Sequence, residues 1–317
     1  MKPVKQRSGD GAPVVPDAEF TSYYGRPVLK QAPWTSDIPA YLFLGGLAAG
    51  SSVLGAGADL TGRPALRKAG RFGGVGAIML SLAALIHDLG RPSRFIKMLR
   101  VAKPTSPMSV GTWILSAYGP LAGLAAAGEL RGLLPGFLGR FVGSAARPAG
   151  LGAAALAPAV ASYTAVLLSD TATPAWHEGF REMPFVFAGS AAASAGGLGM
   201  LAAPVDQAGP ARRMALAGAV GELVAEERMS ASMGLAAETL HHGKAGLLMR
   251  ASQALTVLGA AGAVAGRRNP AISAAAGAAL LVGSAGTRFA IFEAGQESAR
   301  DPKYTVVPQR ERVRARC

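Results

Sequence analysis

Residues 72–98 read FGGVGAIMLSLAALIHDLGRPSRFIKM, and this stretch decides the fold. A mostly apolar run from Phe72 to Ile86 ends on His87, Asp88 and Arg91. A membrane-spanning helix needs about 20 mostly apolar residues, and helices that pack closely in lipid are rich in small residues such as those found here. The stretch therefore predicts a spanning helix that stops at an imidazole, a carboxylate and a guanidinium.

Seven further runs of similar character follow the same rule. The eight predicted spans are 39–58, 69–87, 111–128, 149–169, 184–203, 211–229, 246–265 and 271–292. The sixth is the weakest, because Glu222, Glu226 and Glu227 interrupt it. A soluble all-helical protein would need a polar face on each helix, and most of these runs have none.

The pattern predicts an all-α integral membrane protein, a bundle of about eight transmembrane helices with both termini on the same side. We expect an extramembrane tail over 1–38, a membrane domain over 39–292 and a basic tail over 293–317. The first 38 residues are polar and have no apolar core segment, so we expect no cleavable signal peptide. Membrane insertion would rely on the first span.

Composition excludes several functions. Charged residues make up 16 % of the chain, against about 25 % in soluble domains. The net charge of +13 comes from tails and connections between spans, which favours lipid headgroups and protein partners over nucleic acid. The single cysteine, Cys317, cannot hold an iron–sulfur cluster. His241 and His242 are adjacent in a connection, which disfavours a di-haem bundle, and no pattern indicates a metal site.

Polar residues concentrate on the face that carries both tails, here called side A. With eight spans, the loops 88–110, 170–183 and 230–245 also lie there, and the opposite face is side B. Counting all Lys and Arg favours one orientation and counting only the short loops favours the other, so the positive-inside rule does not orient the chain.

The side-A residues predict a polar pocket. An ionisable group at the centre of a spanning helix costs roughly 2.5–3.5 kcal/mol on insertion scales, so such groups usually persist in a cavity or an ion pair. The alternative is that they only mark helix ends at the headgroups. The candidates for binding or proton transfer are His87, Asp88, Arg91, Asp170, His177, Glu222 and Arg288.

The corner after the second span predicts a short interfacial helix over 93–102. Gly90 can adopt the left-handed conformation that ends a helix, and Pro92 prevents the same helix from continuing. In the next helix Phe95, Met98, Leu99 and Ala102 would share an apolar face. Arg94, Lys97 and Arg100 would share a basic face suited to docking a partner or to anionic lipid.

Five stretches resemble one known family, the NrfD/polysulfide-reductase (PsrC-like) membrane subunits. They are YLFLGGLAAGSSVLGAGADL (41–60), HDLGRPSRF (87–95), KPTSPMSVGTW (103–113), PAWHEGFREMPFVFAGSA (174–191) and DPKYTVVPQRER (301–312). The resemblance covers nearly the whole chain beyond the first 30 or so residues. The second and third stretches are the more specific ones.

The resemblance implies a haem-free, quinone-reactive subunit of a respiratory complex in the plasma membrane. Its partners would be a ferredoxin-like iron–sulfur subunit and a molybdopterin catalytic subunit. It would exchange electrons with menaquinone or ubiquinone, with His87 at the quinol and no cluster on this chain. Asp88, beside His87, is predicted from its position as the second catalytic residue. A histidine that titrates near neutral pH suits both hydrogen bonding and proton transfer to a quinone.

Two other functions stay open at this point. The chain could be a passive anchor for soluble subunits, although the buried ionisable residues argue against that. It could instead be a transporter or proton pathway, although we see no inverted repeat of broken helices. The sequence does not decide the substrate of the catalytic subunit, the direction of the reaction or proton pumping.

Overall fold

The structure is a computed structural model that describes residues 28–91 and 95–315. These residues form helices and turns, with no strand among them. In chain order the α-helices are α1 (Asp37–Leu60), α2 (Pro64–Asp88), α3 (Phe95–Met98), α4 (Pro107–Ala127), α5 (Gly136–Ser169), α6 (Pro174–Glu178), α7 (Met183–Ala202), α8 (Gly209–Ser232), α9 (Glu238–His241), α10 (Gly243–Ala265), α11 (Pro270–Arg300) and α12 (Lys303–Arg314).

Seven of these helices are long and apolar enough to cross a membrane: α1, α2, α4, α5, α7, α10 and α11. The eighth long helix, α8, spans 24 residues but is too polar to qualify. It matches the span that the sequence marked as the weakest. The prediction of an all-α, multi-pass membrane protein is confirmed.

The long helices form two antiparallel four-helix groups, one of α1, α2, α4 and α5 and the other of α7, α8, α10 and α11. The groups meet mainly where α7 packs against α1 and α5, and where α11 packs against α1. Small residues allow this close approach. A Cβ added to Gly50 of α1 would lie 2.5 Å from the carbonyl oxygen of Ala191 in α7. A Cβ on Gly70 of α2 would lie 2.6 Å from the Cα of Gly55.

At side A, the segment that precedes α1 packs against the rest of the bundle through aromatic residues. The rings of Trp34 and Trp176 stack with centroids 5.5 Å apart, and Trp176 lies 5.6 Å from the ring of Phe292. The indole N–H of Trp176 donates to the carbonyl of Ile291 at 2.9 Å. The side chain of Gln296 donates to the carbonyl of Ala32 at 3.2 Å. The chain therefore enters α1 and leaves α11 at the same end, while the two termini lie outside the described residues.

Helix α12 is attached to side A by an exposed ion pair between Lys303 and Glu238. The hydrogen bond from Lys303 lowers the pKa of Glu238 below its ordinary value of 4.5, and the same bond raises the pKa of Lys303 above 10.5. The pair therefore stabilises this contact at pH values above the lowered pKa of Glu238 and below the raised pKa of Lys303. Its contribution is lost as pH falls through the lowered pKa or rises through the raised one.

Three helix boundaries differ most from the predicted ones. Helix α5 begins at Gly136 rather than 149, and within the added segment Arg147 pairs with Asp59 at 3.7 Å. Helix α11 continues past 292 to Arg300, where Gln296, Ser298 and Ala299 are buried against neighbouring segments. The structure thus continues the bundle into the segment that was predicted to be a tail.

The third difference is the predicted helix over 93–102, which was wrong in length. Helix α3 ends at Met98. The carbonyl of Val101 instead accepts hydrogen bonds from the hydroxyl of Ser109 at 2.8 Å and the indole of Trp113 at 3.1 Å. These bonds draw the chain towards α4 and end the helix early.

Candidate functional site

An apolar cavity of about 460 Å³ lies at the side-A end of the first helix group. It is enclosed by α1, α2, α3, α4 and α5. Phe95, Met98 and Leu99 line it, so the apolar face predicted for the short helix lies over this cavity. Asp88 is the one charged residue among the described residues that line it.

Asp88 reaches the cavity because α2 ends there. Gly90 has a φ of 65°, the left-handed conformation expected of a helix-ending glycine,. Asp88 and Leu89 lie at the wall of the cavity, and Phe95 and Met98 of α3 line it as well. The predicted role of Gly90 as a C-cap is confirmed.

A chain of polar side chains leads from Asp88 to the surface. The backbone N–H of Thr35 donates to Asp88 Oδ1 at 3.1 Å. The Thr35 hydroxyl lies 2.9 Å from the same oxygen and 3.2 Å from Asp37 Oδ2. Asp37 Oδ2 in turn lies 2.6 Å from His87 Nδ1. Because one hydroxyl donates one proton at a time, Thr35 can serve either carboxylate and thereby connects the two.

His87 is at the outer end of this chain. Its side chain is 81 % exposed and does not line the cavity, whereas Asp88 does. The two neighbouring residues therefore have different surroundings, although the sequence grouped them. Thr35 and Asp37 were missed because a Thr-Ser-Asp segment before an apolar run resembles an ordinary helix start.

A second, more open cavity of about 700 Å³ holds two other predicted residues, Asp170 and His177. His177 Nδ1 donates to the carbonyl of Ser169 at 3.1 Å, which leaves its other ring nitrogen for a further contact. Tyr163 of α5 lines both cavities. Its ring packs against Gly111, where a Cβ would collide with it. Tyr163 was missed because a tyrosine within an apolar run gives no distinctive signal.

Glu222 and Arg288 lie in a third place, inside the second helix group. Both are 1 % exposed, together with Glu226 at 4 %. Neither lines the two cavities described above. The single polar pocket expected from the sequence is therefore three separate sites. The sequence indicated how deep in each helix a residue lies, but it did not indicate which helices are neighbours.

Arg288 is nevertheless paired with protein groups. Its Nη2 donates to the carbonyl of Phe187 at 2.8 Å, and its guanidinium carbon lies 3.7 Å from the centre of the Phe187 ring. It forms no ion pair with Glu222 or Asp170. The contact with Phe187 was not foreseen.

The predicted docking residues are partly described. Lys97 and Arg100 are exposed on side A. Arg91, predicted for binding or proton transfer, is also exposed and lines neither cavity. Arg94 lies outside the described residues.

Side B carries an ion-pair network that the sequence did not reveal. Glu129 accepts two hydrogen bonds from Arg67, at 2.7 and 3.1 Å, and one from Arg71 at 2.8 Å. Asp59 pairs with Arg71 at 3.3 Å and with Arg67 at 3.4 Å. The network ties α1 and α2 to the end of α4, and it touches neither cavity. The network therefore stabilises the packing of these helices.

These features define a class: a multi-pass, all-helical membrane protein with an apolar cavity that is closed at one end by a carboxylate. Comparison with protein families then identifies the family to which the chain belongs. The family model "Polysulphide reductase, NrfD" matches residues 28–213, more than half of the chain. The chain belongs to the NrfD family, and the resemblance noted in the sequence is confirmed.

Membership in the family implies a membrane subunit of a polysulfide-reductase or other oxidoreductase complex. The matched segment includes every described residue that lines the first cavity. A comparison with curated proteins gave no match.

Proposed function

We propose that this chain is the quinone-reactive subunit of an oxidoreductase complex of the plasma membrane, with the first cavity as its quinone site. The observation that carries this proposal is the cavity itself. It is apolar, lies at one end of the bundle between spanning helices, and exposes a single carboxylate, Asp88. Ligand sites for largely apolar molecules have this composition, with a few placed polar groups that fix orientation.

The cavity chemistry suits a quinone headgroup. The ring and its isoprenoid tail would contact the apolar walls, including Phe95 and Met98. In the quinol form, one ring hydroxyl would donate to the Asp88 carboxylate, and Tyr163 on the opposite helix α5 could donate to the other ring oxygen. Tyr163 lines this cavity as well as the second one, so its side chain lies at the wall where the ring would bind.

Proton transfer would follow the polar chain from the cavity to the surface. Oxidation of a quinol releases two electrons and two protons, and reduction of a quinone takes up the same number. Asp88 would exchange protons with the ring oxygen, and Thr35, Asp37 and His87 would relay them to solvent on side A. General acid–base groups of this kind contribute about 10²–10⁴-fold to a rate.

The electron partner would dock on side A. We propose a ferredoxin-like iron–sulfur subunit there, with a molybdopterin subunit beyond it, because the exposed cations Lys97 and Arg100 adjoin the helix that lies over the cavity. Complementary charge steers association. Menaquinone and ubiquinone both have the chemistry that this site would accept. A passive anchor would need neither the cavity nor the polar chain.

Quinone binding to the purified chain tests the proposal. Trp34 lines the cavity, so a short-chain quinone that binds there should quench tryptophan fluorescence. A hydrogen bond from a quinol hydroxyl to a charged carboxylate contributes about 1.5–3 kcal/mol, so Asp88→Asn should weaken binding of the reduced, quinol form by roughly 10- to 100-fold. Asp206→Asn, at an exposed side-B position, is the matched control and should bind as the unmodified chain does. Equal affinity in Asp88→Asn would reject Asp88 as the contact, and no binding by any form would favour the anchor.

A further inference from the structure

The second helix group contains a buried cluster of three ionisable side chains. Glu222 and Glu226 are one helical turn apart on α8, and so they share a face. Arg288 approaches from α11, and Gln253 of α10 donates to Glu226 Oε2 at 3.1 Å. The three charged residues are 1–4 % exposed.

Five polar atoms of this cluster have no hydrogen-bond partner within the described residues. They are Glu222 Oε1 and Oε2, Glu226 Oε1, and Arg288 Nε and Nη1. A buried carboxylate oxygen without a partner is costly while it is charged, so the three glutamate oxygens indicate a bound cation or a proton. The cluster also touches neither of the two cavities described above.

Charge counting gives the charge of what is bound. Two carboxylates and one guanidinium leave one net negative charge. The other side chains that face the cluster are neutral: Ser190 of α7, Gln253 of α10 and Thr287 of α11. By geometry the Ser190 hydroxyl bonds to Ser284 and the Thr287 hydroxyl donates to the carbonyl of Gly283, so neither satisfies Glu222. Helix α1 adds no charge, since it meets Arg288 through Gly46. A net charge buried at this depth is unfavourable, and a single positive charge removes it.

A proton fits this requirement better than a metal ion. Metal ions such as Ca²⁺ and Mg²⁺ take about six or more oxygen ligands. The described residues hold no group of three or more candidate metal-ligating side chains. Two carboxylates that share a site, by contrast, commonly share one proton.

We propose that Glu222, Glu226 and Arg288 form an internal proton-binding site that holds one proton per chain, shared between the two carboxylates. Binding converts one carboxylate and one proton into one carboxylic acid, and it involves no electron. The site is separate from the proposed quinone cavity and does not depend on it.

The proposal predicts an unusual result for substitutions. Glu222→Gln or Glu226→Gln leaves one carboxylate opposite one guanidinium, which is neutral without any proton. Either single variant should therefore lose the bound proton. Arg288→Gln leaves two carboxylates and no cation, so it should hold two.

Infrared spectroscopy of the full chain in detergent, without quinone, reads this directly, because a carboxylic acid and a carboxylate have separate C=O bands. At neutral pH the unmodified chain should show a carboxylic-acid band that is absent in both Glu variants. Glu227→Gln changes an exposed acid on the same helix and should keep the band. A band that survives either Glu substitution, or no such band in the unmodified chain, would overturn the proposal. The two Glu variants keep the test decisive if Arg288→Gln does not fold.

Discussion

Asp88 and His87 are adjacent in sequence, yet one faces the cavity and the other faces solvent. The difference arises because both residues belong to α2, where consecutive positions lie about 100° apart around the helix axis,. His87 then pairs with Asp37 at 2.6 Å at the outer end of the polar chain. In the proposed mechanism His87 moves protons and Asp88 contacts the quinone.

This division of roles predicts that a substitution of His87 lowers the rate of turnover and leaves the affinity for quinone unchanged. His87→Ala should slow quinol-linked turnover of the assembled complex by about 10²-fold, the lower end of the range for acid–base groups. Quinone affinity should stay close to that of the unmodified chain, because His87 does not line the cavity. Steady-state kinetics of the complex together with fluorescence titration of the chain separates the two. Loss of affinity equal to that of Asp88→Asn would show that His87 contacts the quinone directly.

The sequence predicted which residues belong to the candidate sites, but it did not predict which of them lie close together. His87, Asp88, Glu222 and Arg288 were recognised because ionisable groups are rare near apolar runs. Their grouping was not predictable, because it depends on which helices pack together, and hydropathy carries no information about that. Tyr163 was invisible for the same reason, since only the fold places it between two cavities.

At the scale of elements, the positions of most spans followed from apolar length alone. The exceptions were α5 and α11, which extend past their apolar segments, because paired or buried polar residues continue the helix. Helix α8 is the informative case. It is the most polar long helix, and it remains in the bundle through close packing against α7.

That packing depends on glycine. A Cβ on Gly218 would collide with the backbone of Ala193 and lie 2.6 Å from the carbonyl oxygen of Gly189. Gly218→Ala should therefore lower stability by about 1–3 kcal/mol, the usual cost of overpacking. Thermal unfolding in detergent measures this. Gly221→Ala is the control on the same helix, since its Cβ would lie 4.0 Å from the Cα of Gly189, its nearest neighbour. It should be neutral or raise stability by up to about 1 kcal/mol, the helix-propensity difference. Equal effects of the two would contradict the packing assigned to Gly218.

At the scale of the whole molecule, the two helix groups carry different chemistry. The first group holds the cavity, the polar chain to side A and, on side B, the ion-pair network centred on Glu129. The second group holds the closed cluster of Glu222, Glu226 and Arg288. The fold class and the family were predictable from the sequence, because the apolar runs and the HDLGRP and PTSPMSVG stretches are local features. The separation into two groups was not, because it arises from contacts between distant helices.

The central claim is that a quinone binds in the cavity beside Asp88. A photoreactive quinone analogue, cross-linked to the full chain and mapped by mass spectrometry, tests this directly. The account predicts labels on peptides that line the cavity, such as those containing Leu85, Met98 and Met108, and their loss when unlabelled quinone is in excess. Competed labels confined to the second cavity around Asp170 and His177, or to no cavity at all, would contradict it.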